Sequence, residues 1–146
     1  MLGLSELRGQ EEALRRFIDD YLDSLATKYR VSKPKWDFCV LEISSGRMFS
    51  ARYVIPRRTI LVNKAFIKYY RSTPKIVEQI LRFVLAHEFY HHCRFRAVPN
   101  RILPQVLAGL SKPKEEMYAD EFAEKESGVP REKLPLLLFA MRELAE

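Results

Sequence analysis

Cysteine is scarce: Cys39 and Cys93 are too few for a disulfide framework, so the chain must hold its shape through a packed core. That scarcity makes a reduced, cytoplasmic protein the expectation. Long apolar runs are missing as well. The longest near either end is "LPLLLFAM" at 134–141, far short of the roughly 20 residues a bilayer requires, so no membrane association is expected. The opening "MLGLSELRGQEE" lacks the basic-then-apolar layout of a secretory leader. Only two asparagines stand beside many lysines and glutamates, a composition that suits heat adaptation. Histidine is confined to positions 87, 91 and 92.

What is present fits one soluble domain. The 146 residues are 47% hydrophobic and 30% charged, enough to bury a core. The net charge of +6 favours acidic partners, nucleic acid among them, but the basic residues are scattered and form no recognition motif.

Apolar spacing predicts an amphipathic helix over 5–29, through Leu14, Phe17, Ile18, Tyr21, Leu22, Leu25 and Tyr29, with Ser5 as N-cap. Pro34 ends it. Short β-like runs follow. "WDFCVLEI" and "RMFSARYVI" flank "SSG" as a hairpin, and "TILV" comes next. "KAFIKYY" reads as a short helix. Thr73 as N-cap and Pro74 at the first helical position predict a helix over about 74–94. "KPKEEMYADEFAEKESG" repeats that grammar and stops at Gly128, and a last helix covers about 131–145, with Pro135 as a dividing point. The expected fold class is α+β, with an active-site helix, a glutamate helix and flanking terminal helices around a small antiparallel or mixed sheet.

The stretch "RFVLAHEFYHHCRF" at 82–95 holds the whole histidine supply. His87 and His91 are four apart on the predicted helix and so share a face. Ile76, Ile80 and Val84 fall within about 60° of that direction, which makes the face core-directed. Two imidazoles so placed can coordinate one metal ion. Glu88 sits about 100° round, where it can lean over water at such an ion. "HEFYH" is thus H-E-x-x-H, the two-histidine, general-base signature of zinc peptidases. His92 lies roughly 140° from His87 and is expected to serve outside the metal shell or at the surface. Histidines at i, i+4 also occur as ordinary core residues, but burying unpaired imidazoles with a carboxylate in an apolar helix is costly.

A catalytic zinc site usually takes three protein ligands and leaves one position open. With no fourth histidine, and with Cys93 about 120° away from His87, a carboxylate or Cys39 must complete it. In "EEMYADEFAE", Glu116, Asp120 and Ala123 share a face with Ala119 beside them. Small residues there allow close helix approach, so Glu116 can reach the metal. Asp120 can accept a hydrogen bond from the free nitrogen of a ligating histidine. Glu115 and Glu121 are alternatives. So is an ordinary solvated acidic face with partners such as Lys125.

"HEFYH" followed after a 24-residue gap by "EMYAD" resembles the gluzincin metallopeptidases, whose glutamate helix reads E-x-x-x-D. The form "E-x-x-A-D-x-x-A" is similar to the minigluzincins and to the catalytic domains of the HtpX/CAAX-prenyl-protease group. The resemblance covers about residues 59–124. It implies a small zincin-like domain, Zn2+ on His87, His91 and Glu116, Glu88 as general base and Asp120 in support. It also implies a peptide-binding edge strand, for which "TILVNKAF" is the candidate, and a peptide or unfolded protein as substrate. The oxyanion-stabilising histidine of some gluzincins is absent, leaving Tyr90, Tyr118 or an arginine. Other readings are a SprT-like protease, which lacks its third histidine here, an ImmA/IrrE-like regulator peptidase, and a non-catalytic zinc-stabilised binding module. The final helix is a candidate cover for the cleft.

Overall fold

The computed structural model describes residues 3–40 and 50–144. Helix α1, Leu4–Tyr29, buries Leu14, Ile18, Leu22 and Leu25 along one stripe, as its periodicity requires. It begins directly after Gly3, so Ser5 lies within its first turn and is not the cap. The chain leaves α1 through Arg30 in the left-handed region, φ 55°. The indole of Trp36 then donates to Asp19 at 2.7 Å, tying the first strand to this helix.

Three short strands follow: β1 Lys35–Cys39, β2 Ala51–Val54 and β3 Thr59–Asn63. Their order is β1-β3-β2, with β3 parallel to β1 and antiparallel to β2. The sheet is therefore mixed, the second of the two forms expected. The "SSG" turn lies outside the described residues, but the strands expected to pair across it are not neighbours. β3 inserts between them because it is the strand with the most apolar surface to cover, and Ile60 and Val62 are fully buried in it. This also overturns "TILV" as the edge strand: it is the centre, and β2 is an edge.

Helix α2, Phe66–Ser72, meets α3, Pro74–Phe95, at Thr73. The Thr73 hydroxyl donates to the Tyr69 carbonyl at 3.0 Å, so its side chain closes α2 and does not cap α3. Pro74 opens α3, which runs through the middle of the molecule and meets α1, α2, β2, α5 Lys112–Ser127 and α6 Leu134–Leu144. A short helix, α4 Leu103–Ala108, was not foreseen. Then come α5, Lys112–Ser127, and α6, Leu134–Leu144. A 3-10 turn at Arg131–Lys133 leads into α6, so Pro135 helps to start that helix and does not divide it. α6 packs on α3 and α2. The α+β class holds, and no described helix is long and apolar enough to cross a membrane.

Candidate metal centre

Helix α3 has no glycine and carries an apolar stripe, so its 22 residues run unbroken to Phe95. Past that end the Arg58 guanidinium donates to the carbonyls of Arg96 at 3.0 Å and Val98 at 2.6 Å, fixing the exit of the chain. Helix α5 starts at Lys112 with Pro113 in its first turn and stops at Gly128, whose φ of 71° favours glycine. Ala119 and Ala123 are fully buried, and α5 lies along α3 in the most extensive helix pairing among the described residues. Small side chains permit that approach. It sets Glu116 and Asp120, one turn apart, against His87 and His91.

The resulting cluster is tight. His87 Nε2 stands 2.9 Å from Glu116 Oε2 and 3.3 Å from His91 Nε2, and His91 Nε2 stands 3.2 Å from Glu116 Oε1. One ligand atom from each of the three lies within 4.8 Å of the others, the arrangement of a group that could hold a metal ion. The other face of His87 is occupied: its Nδ1 lies 2.8 Å from Asp120 Oδ1. With the proton on Nδ1 and donated to that carboxylate, the Nε2 lone pair is free and turned toward Glu116 and His91. Burial, then the neighbouring His87 charge, hold the His91 imidazole below its ordinary pKa, which favours the neutral, ligating form. Behind Asp120, Arg131 Nε reaches Oδ2 at 3.2 Å, and the Arg131 amide donates to Glu124 at 2.9 Å.

Glu88 is buried and stands outside this group, toward β2. Its Oε2 accepts the Tyr53 backbone N–H at 2.8 Å. In an antiparallel pair, alternate amides point away from the partner strand, and Tyr53 spends its amide on α3 in this way. Burial pushes the Glu88 carboxyl up to about 7, against the His87 charge and the Tyr53 hydrogen bond, which lower it.

His92 is not at the surface. It is 2% exposed, with Nδ1 3.0 Å from the Tyr53 hydroxyl and Nε2 2.8 Å from the Ser32 carbonyl. A neutral ring that donates from Nε2 and accepts at Nδ1 satisfies both contacts. The position of His92 away from the metal face is as expected, but its role is to pin β2 and the α1–β1 connection to α3.

The structure therefore brings His87, His91, Glu116 and Asp120 together and sets Glu88 beside them. The alternatives for the third ligand do not join. Glu115 is held by Arg94, 2.6 Å from Oε1, and neither Cys39 nor Glu121 belongs to the group. The cluster borders a cavity of about 510 Å³, reached by Glu88, His91 and Glu116 from the helices and by Arg52 and Tyr53 from β2. Of the residues considered for oxyanion stabilisation, Tyr90 packs between His91 and Phe122 and Tyr118 is exposed. Neither lines this cavity, whereas Arg52 does. No α6 residue lines it either, so the expected cover for the cleft is not there. Sequence reasoning missed the Tyr53 amide, which carries no side-chain signal, and Arg131, which follows the glycine stop of α5. Comparison of the chain with protein-family models, with curated proteins and with solved structures finds no match.

Proposed function

We propose that this chain is a zinc-dependent endopeptidase, with His87, His91 and Glu116 as metal ligands and Glu88 as general base. The observation that carries the reading is the convergence of two imidazole nitrogens and one carboxylate at 2.9 to 3.3 Å, with Asp120 already holding the far nitrogen of His87. Three electron-rich atoms this close repel one another unless a cation or proton lies between them. Their spacings also suit zinc: bonds of about 2.0–2.1 Å in tetrahedral array put ligand atoms roughly 3.3 Å apart. Zinc bound there would polarise a substrate carbonyl and acidify a water molecule.

The chain's own residues do the rest. Glu88, with a carboxyl poised near neutrality, accepts one proton from the attacking water as its oxygen bonds to the peptide carbon. When the carbon–nitrogen bond breaks, Glu88 passes that proton to the departing amine. Asp120 keeps the His87 tautomer fixed throughout. β2 is short and faces the cavity from an edge of the sheet, so an extended peptide lies beside it and is recognised chiefly through its backbone.

Elemental analysis alongside digestion of an unfolded protein tests the reading. One zinc per chain with digestion abolished in Glu88→Gln, while that variant keeps its zinc, is the expected result. Zinc-loaded protein that leaves unfolded substrate intact would overturn it.

A further inference from the structure

The cavity beside the cluster is unevenly charged once its committed groups are set aside. Ile55, Phe95, Leu107 and Leu110 give it an apolar wall, and Arg52 from β2 and Lys112 from the start of α5 also line it. Three carboxylates border the same space, and each has a partner. Glu115 is clasped by Arg94 through Nη2 at 2.6 Å and Nε at 3.3 Å. Glu116 faces the two imidazoles, and Glu88 accepts the Tyr53 amide. The side chains of Arg52 and Lys112 have no hydrogen bond or ion pair with any described residue, although the Arg52 charge also acts on Glu88. Both side chains line the cavity while remaining exposed, so their attraction for an entering anion is partly screened by water and falls with salt, and the apolar wall beside them adds contact.

From this geometry we infer that the cavity selects peptides carrying a carboxylate within a few residues of the bond to be cut, with Arg52 and Lys112 as its receptors. The inference rests on the proposed peptidase reading and supplies its substrate class. A cavity of about 510 Å³ has room for a short stretch of extended peptide. The apolar wall covers its neighbouring side chains or the methylene stem of a glutamate, and the cations meet the charge. The carboxylate has two sources, an Asp or Glu side chain or the free end of a chain, and the same receptors serve both.

The test is binding to the zinc-incubated Glu88→Gln protein, read by calorimetry, so that no turnover is needed. Three peptides share one apolar core: one with a flanking Glu and an amidated end, one with Gln in its place, and that Gln peptide with a free C-terminal carboxylate. The Glu peptide should bind at least about tenfold tighter than its Gln partner, and the gap should shrink as salt rises from 50 to 500 mM. A gain by the free-carboxylate peptide alone also supports the inference and assigns the cavity to chain ends. In the same background, Arg52→Glu with Lys112→Glu should reverse the preference toward a Lys-flanked peptide. Arg52→Gln with Lys112→Gln, checked for native circular dichroism, should abolish it. Equal affinity for all three peptides overturns the inference, as does Arg52→Ala slowing cleavage of charged and neutral peptides alike with relative affinities unchanged. The two readings fail separately. Wild-type cleavage without charge preference removes only the receptor role, whereas charge-selective binding without any cleavage removes only the peptidase.

Discussion

His91 and His92 are adjacent in sequence and both largely buried on α3, yet their surroundings differ in kind. The His92 ring has one donor contact and one acceptor contact, a carbonyl and a hydroxyl, and a neutral imidazole answers both. On the other side of the helix, His91 and His87 turn their Nε2 atoms toward each other and toward the Glu116 carboxylate, contacts that a shared proton or a cation reconciles. One environment is closed by a carbonyl and a hydroxyl, and the other is a group of atoms that could hold a cation. Burial alone does not separate a structural histidine from a ligand; the atoms that face the ring do.

The widest separation between the two sides comes from removing the support behind each. Asp120→Ala should weaken zinc binding by about 10–100-fold, since an unsupported ligating histidine loses its tautomer and orientation. His92→Phe should leave zinc affinity unchanged, within the error of competition titrations against a chelator. Loss of zinc in the His92 variant and not in the Asp120 variant would reverse the comparison.

The next effect is on stability. Glu88 has a folded-state pKa raised from 4.5 to about 7. Its contribution therefore favours the folded state below pH 4.5 and is lost as pH rises through 7. In metal-free protein, Glu88→Gln should gain roughly 3 kcal/mol over wild type at pH 8, with the gain fading by about pH 4. Equal denaturation midpoints at the two pH values would show that Glu88 is not held in a desolvated site. His92→Phe should cost about 1–3 kcal/mol in denaturant unfolding at neutral pH, because the buried Tyr53 hydroxyl and the Ser32 carbonyl lose their partner. Arg131 is mostly exposed, so Arg131→Ala should cost no more than about 1 kcal/mol and weaken zinc binding less than Asp120→Ala does.

The two helices that build the cluster were legible in the sequence because their signals are local. Pro74 and Pro113 mark starts, Gly128 marks a stop, and i, i+4 spacing puts His87 with His91 and Glu116 with Asp120. The buried Ala119 and Ala123 forecast the close packing between them. The three strands were legible as short β-like runs, but their order was not. Strands of four or five residues carry too little periodicity to reveal that β3 inserts between β1 and β2, since strand order depends on non-local pairing. Helix α4 spans six residues, under two turns, and showed no period. The burial of His92 was hidden for a related reason. Helical angles gave its direction correctly, but only the fold puts Tyr53 and Ser32 there to enclose it. The Tyr53 amide on Glu88 belongs to the backbone, which sequence patterns do not mark.

Zinc stoichiometry across a neighbouring pair of glutamates tests the central claim most directly. After loading and exhaustive dialysis, wild type and Glu115→Ala should each retain about one zinc per chain, while Glu116→Ala should retain almost none. Equal zinc in Glu116→Ala and wild type, or loss in Glu115→Ala alone, would contradict the assignment of Glu116 as the third ligand.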